Sequence, residues 1–156
     1  MSAREFNVER WAMRYARIAL GAAFLSGIAD RFGLWGKATG YGDFAHFVRY
    51  TAQVNSFMPA FTIPFLAWAA TVAELVLGIA LISGVWLRGV ALGSALLLFL
   101  FGTAMAISFG LKSPLDYSVF SASAAAVLLA FCASDSSSTS AATLARPREG
   151  GIPDPT

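Results

Sequence analysis

Charge is scarce in this chain: 13% of its 156 residues are Asp, Glu, Lys or Arg and 57% are hydrophobic, whereas an ordinary soluble domain is about a quarter charged. There is one cysteine, Cys132, and one histidine, His46. A single copy therefore makes no internal disulfide, no Cys/His zinc site and no bis-histidine haem, and no metal site is expected. A phosphate-binding loop, a nucleophile elbow and an HExxH motif are also missing, so nothing marks an autonomous hydrolase or kinase. The formal charge of +2 comes without a basic stripe interleaved with aromatics, which leaves no nucleic-acid footprint.

What the chain does have is long apolar runs. A helix rises about 1.5 Å per residue and the hydrocarbon core of a bilayer is about 30 Å thick, so one crossing takes about 20 mostly apolar residues. The pattern predicts an all-α integral membrane protein, a four-helix bundle with crossings over 14–32, 63–84, 87–110 and 115–133 and a short interfacial helix over 43–56 in the first loop. Residues 134–156, rich in Ser, Thr and Ala and then in Pro and Gly, read as a disordered tail after a transmembrane domain over 1–133. The apolar stretch from Ile18 to Ala29 also resembles a signal-peptide core, but the long basic region before it and Asp30 and Arg31 directly after it favour a retained helix.

Helical spacing assigns faces. In the first crossing Ala16, Leu20, Ala23, Gly27 and Asp30 form a small-residue stripe suited to close packing. In the second, Thr71, Glu74, Gly78 and Leu81 share one face, with Val72, Leu75, Val76, Ile79 and Ile82 toward lipid. Ser118, Ser121, Ala125, Leu128 and Cys132 give the last crossing a small, polar face. The short turn at 85–87 predicts an antiparallel hairpin of the second and third crossings, and Gly89 and Gly93 form a GxxxG spacing that fits packing within the chain or a dimer seam. Basic residues number seven on the side of the termini, against Arg31, Lys37, Arg49 and Lys112 on the other. The excess places both termini in the cytoplasm.

Glu74 is the residue most in need of explanation, because an ionised group at mid-depth in a bilayer is tolerated only when paired, protonated or hydrated. Arg17, about five residues or roughly 8 Å to the cytoplasmic side of the centre of the first crossing and near the reach of an arginine side chain, is its expected partner, and with Thr71, Ser118 and Ser121 the pair makes a candidate polar centre or ligand site. The same groups also suit a purely structural role as packing glue between helices. Asp30, Arg31, His46, Lys112, Asp116 and Tyr117 should gather at the outer surface and rim a pocket, although each also has a local explanation as a helix end, cap or interface residue.

Two segments carry a family resemblance. The first is Arg17, Gly21 and Gly27 within RIALGAAFLSGIADRFGLWG (Arg17 to Gly36). The second is TVAELVLGIALISGVWLRGVAL (Thr71 to Leu92), with Glu74, Gly78, Gly84 and Arg88. Together with KSPLDYSVFSASAAAVLLA (Lys112 to Ala130), they resemble the DoxX-like family of small bacterial membrane proteins over roughly residues 10–133. The resemblance implies a four-helix membrane fold and a subunit or accessory role in quinone-linked redox systems, such as thiosulfate:quinone oxidoreductase and terminal-oxidase complexes. It also implies a place in the bacterial inner membrane, Arg17 and Glu74 as matching positions, no intrinsic cofactor but quinone as a candidate ligand, and other subunits of a redox complex as candidate partners. Many members carry a lysine soon after the first-helix glycine, where this chain has Asp30 and Arg31. Two further readings of Glu74 stay open: a small-solute or proton carrier, and a structural anchor or assembly factor.

Overall fold

A computed structural model describes residues 3–36 and 40–144, and within them every regular element is helical. In order these are α1 (Ala3–Arg31), α2 (Phe44–Val54), a 3-10 turn at Ala60–Thr62, α3 (Ile63–Ser83), α4 (Leu87–Phe109), α5 (Lys112–Asp116) and α6 (Val119–Leu144). The four long helices close a ring, α1 on α3, α3 on α4, α4 on α6 and α6 on α1, with α2 laid across one end against α3 and α4.

The helix limits follow local chemistry. Asp43 caps α2, its carboxylate accepting the His46 amide at 2.8 Å. Pro64 sits in the first turn of α3, where its missing N–H costs nothing. Gly84 ends α3 at φ +76°, a left-handed conformation that lets the chain reverse within three residues into α4.

Although α3 and α4 are joined by that tight turn, the most extensive contacts run between α4 and α6 and between α1 and α3. Small residues decide this. Ala91 and Ala95 of α4 meet Ala126 and Ala130 of α6 in the core, Gly102 of α4 receives the ring of Phe120, and Ser123 donates to the Ala95 carbonyl at 2.8 Å. Between α1 and α3, Gly21 lies against Gly78, with their backbones in close approach. Gly89 instead abuts Trp86 of its own turn, and Gly93 meets the Leu77 side chain, so the GxxxG pair is filled within the chain.

Thr71, Glu74, Gly78 and Leu81 are all buried, and Val72, Leu75, Val76, Ile79 and Ile82 are all exposed. In α1 the buried stripe is Leu20, Gly21, Phe24 and Arg31, and Ala23 is exposed. The last helix departs further from expectation. Ser118, Ser121, Leu128 and Cys132 are exposed, and Ser123, Ala126, Leu129 and Ala130 form the packed face. The alanines let the α4 and α6 backbones come closer than a face carrying Leu128 would allow. The helix also starts later than Leu115: α5 forms first, Ser118 turns at φ +55°, and α6 begins at Val119. At its far end α6 runs to Leu144, through the segment expected to be a disordered tail, because extending an existing helix is far easier than nucleating one. Residues 145–156 lie outside the described residues.

Two stretches, Ala60–Ser83 and Leu87–Phe109, are long and apolar enough to cross a membrane, each with a mean hydropathy of 2.2, and Val119–Ala133 is a shorter apolar helix. The two long spans are only 28% and 33% buried, so most of their apolar surface faces outward. A core helix of a soluble protein would be largely covered. That outward surface is what a bilayer would solvate.

Candidate functional site

Glu74 does have an arginine partner, and it is Arg31. Arg31 Nη2 donates to Glu74 Oε1 at 2.6 Å and Nη1 donates to Thr71 Oγ1 at 2.9 Å, with Glu and Arg side chains 5% and 7% exposed. Thr71 donates its own hydroxyl hydrogen bond to the Ala67 carbonyl at 2.8 Å, so one oxygen both accepts and donates. The guanidinium lies 3.8 Å from the centroid of the Phe47 ring, a cation–π contact in a desolvated setting.

The register of α1 on α3 explains why Arg17 does not fill this role. With Gly21 against Gly78, Gly27 falls beside Glu74 and Arg17 falls beside Gly84. Gly84 is ten residues along α3 from Glu74, about 15 Å at 1.5 Å per residue and out of reach of an arginine. Arg31 stands one turn beyond Gly27, and side chains on a helix lean toward its N-terminus. That lean carries the guanidinium back to the level of Glu74.

Asp30, next in sequence, clamps the loop that leads to α2. Its carboxylate accepts the Tyr41 amide at 3.1 Å and lies so close to Gly40, at φ +63°, that a side chain there would collide with it. Tyr41 then packs edge-on to Phe47 at 5.3 Å and on Tyr50 at 5.3 Å, and Phe44 packs on Trp68 at 4.5 Å. Burial, reinforced by the neighbouring Tyr50, pushes the Tyr41 phenol far above its ordinary range. Burial also raises that of Tyr50, against a hydrogen bond from Tyr41 that lowers it. These aromatics hold α2 down over the Arg31 guanidinium.

A shallow, open cleft of about 450 Å³ forms a cavity beside this centre, lined by Ser26, Gly27, Asp30, Trp35 and Gly40. The Trp35 indole donates to the Ser26 carbonyl at 3.2 Å across its edge. Glu74 Oε2, the oxygen turned away from Arg31, lies within 3.5 Å of where a side chain on Gly27 would begin. The absence of that side chain leaves the carboxylate close behind the cavity wall.

The remaining expected site residues do not converge here. His46 pairs with Asp43 at 2.9 Å and Lys112 with Asp116, both in exposed positions near in sequence. Tyr117 is 73% exposed, near enough to influence Tyr50. Ser118 and Ser121 are exposed on α6 and take no part in the polar centre. Among the described residues no three His, Cys, Asp or Glu side chains gather as a metal site would require. Phe47, Tyr41, Trp35 and Gly40 carry no motif in the sequence. Their only signals were an apolar stripe and a glycine-rich aromatic loop.

The His46 amide and imidazole hold the Asp43 carboxyl below the usual carboxylate range. A lowered value means that its support of α2 is complete above the ordinary carboxylate pKa of about 4 and is lost as pH falls through the lowered value. Hydrogen-exchange protection of the α2 amides should therefore drop on acidification below about pH 4. Asp43→Asn, which caps without titrating, should abolish that pH dependence while keeping protection near neutrality. An acid response equal in both forms would show that another group controls α2.

A model of the DoxX family matches residues 12–109, well over half of the chain. The chain belongs to the DoxX family. Membership brings membrane association with it, in accord with the two apolar helices. The matched region runs from α1 through α4, so it contains Arg31, Glu74, Thr71, Phe47 and the whole lining of the cavity. Lys112, Asp116, Tyr117, Ser118 and Ser121 fall outside it. No curated protein and no solved structure matches the chain.

Proposed function

We propose that this DoxX protein is a multi-pass inner-membrane subunit or accessory of a quinone-linked redox system, and that the cavity over Gly27 and Asp30 receives a quinol headgroup. In this reading α1, α3, α4 and α6 are the four crossings, both termini are cytoplasmic, and α2 lies on the outer surface with Arg31 and Asp30 beneath it. The excess of basic residues at the opposite end supports that orientation.

The observation that carries the ligand is the cavity itself: about 450 Å³, bordered by an indole and a carboxylate, with a second carboxylate behind Gly27. Its size lies within the range of small-molecule sites. A carboxylate only accepts hydrogen bonds, so Asp30 fits a hydroxyl-bearing headgroup, and Trp35 offers an aromatic face beside it. Oxidation of a bound quinol releases two protons and two electrons. In such a step Asp30 would take one of the two protons, the other would leave to water at the open mouth of the cleft, and both electrons would go to an acceptor in a partner subunit.

The test is quinone retention by protein purified in mild detergent. Gly27→Leu, which fills the cavity, and Asp30→Asn, which removes the acceptor charge, should each weaken retention about tenfold (about 1.4 kcal/mol). Helical content measured by circular dichroism should stay unchanged. Retention unaltered in both folded variants would overturn the proposal. A carrier reading draws on the same Glu74, and substrate flux in proteoliposomes that Glu74→Gln abolishes would favour it instead.

A further inference from the structure

Gly27 leaves a notch in the wall of the cleft. Among the described residues outside α1, the one atom within 4 Å of where a Cβ would stand is Glu74 Oε2, at 3.5 Å. Glu74 is 3% exposed, so this oxygen is presented from inside the bundle and not by a surface chain. Its companion Oε1 takes the Arg31 Nη2 hydrogen bond at 2.6 Å, whereas Oε2 accepts none among the described residues. The side-chain atoms there that are both enclosed and without a partner are Arg17 Nε and Arg31 Nε. Oε2 is not one of them, so it is not sealed off, and the notch at Gly27 is the gap beside it.

A carboxylate oxygen accepts hydrogen bonds and offers none. A ligand hydroxyl seated in the notch donates to Oε2. A ligand carbonyl there meets it lone pair to lone pair. The difference is large at a buried charged acceptor, because a site built to hydrogen-bond a hydroxyl rejects the analogue that lacks it.

Resting on the reading of the cleft as a quinone-linked site, we infer that Glu74 Oε2, reached through the Gly27 notch, makes the site select the reduced, hydroxyl-bearing headgroup over the oxidised one. Arg31 is then a positioning residue: it engages Oε1 and leaves Oε2 for the ligand. Thr71 fixes the guanidinium by accepting from Nη1 at 2.9 Å. Such a preference admits the quinol and lets the oxidised product leave.

Equilibrium binding of decylubiquinol and of decylubiquinone to the full chain in mild detergent, kept anaerobic and with empty micelles as the blank, tests this. The reduced form should bind about tenfold tighter, as expected for one charge-assisted hydrogen bond. Gly27→Ala puts a methyl group in the notch at ordinary contact distance from Oε2, without disturbing the Arg31–Glu74 pair. It should weaken quinol binding alone and cut the preference to less than about threefold. Glu74→Gln, whose amide can turn a donor toward the notch, should abolish or reverse the preference in protein that keeps its helical content. Gly93→Ala, the same change outside the cleft lining, should keep the preference in full. Equal binding of the two forms, or tighter binding of the oxidised one, would overturn the inference while leaving the cleft a quinone site. A preference that survives Gly27→Ala would also overturn it, since the discriminating group would then lie elsewhere. Binding of neither form would overturn both the inference and the quinone-linked reading beneath it.

Discussion

Replacing Arg31 by Met is expected to lower the unfolding free energy in detergent by about 3–5 kcal/mol, the range for breaking a buried ion pair by removing one partner. Arg31 and Glu74 are 7% and 5% exposed on their side chains, so water does not take over the lost contact. Glu74 would be left either ionised without a counter-charge or protonated, and Thr71 would lose the guanidinium that it accepts from. The Phe47 ring would lose the cation seated over it, which ties α2 to the bundle.

The double replacement Arg31→Met with Glu74→Met should recover most of that loss, because an apolar pair of similar volume needs no desolvated charge. Arg17→Met should leave the Glu74 environment untouched. Thermal or denaturant unfolding of the four proteins decides the matter. Equal destabilisation by Arg17→Met and Arg31→Met would contradict the assignment of Arg31 as the partner.

Gly21 is the second position of large expected effect. A Cβ there would come within 2.8 Å of the Gly78 carbonyl oxygen and 2.7 Å of Ile82 Cγ1, both closer than real contacts allow. Ile82 is 39% exposed and can swing away. The Gly78 carbonyl belongs to the backbone of α3 and yields only if the helices part. Gly21→Ala should therefore cost about 1–3 kcal/mol by overpacking, and Gly21→Val more. Parting α1 from α3 would also stretch the Arg31–Glu74 pair. Gly93→Ala, where the nearest atom is the flexible Leu77 Cδ2 at 3.3 Å, should stay within about 1 kcal/mol. Melting temperatures of the three variants check the order, and a Gly93→Ala loss matching that of Gly21→Ala would refute it.

Much of the helix layout was legible because apolar runs, prolines and glycines act locally. Glu74 announced itself for the same reason: a carboxylate among uncharged residues on the Thr71, Gly78 and Leu81 face must point inward. The serines of α6 misled because periodicity identifies two opposite faces without saying which one a neighbour can approach. Ser123 sits on the packed face through its bond to the Ala95 carbonyl, and that contact exists only once α4 is beside it. Cavity residues such as Gly27, Trp35 and Gly40 come from a helix and a glycine-rich loop, and composition alone does not tell which glycine leaves a gap beside a carboxylate.

By itself, then, the sequence determined that the chain is helical and rich in apolar surface, with a buried carboxylate that needs a counter-charge. These follow from hydropathy and helical period, which are properties of neighbouring residues. Only the tertiary structure decided which arginine answers it. That choice rests on the sliding register of α1 against α3, set where Gly21 and Gly78 let two backbones touch, and a shift of a few residues would have put a different side chain opposite Glu74.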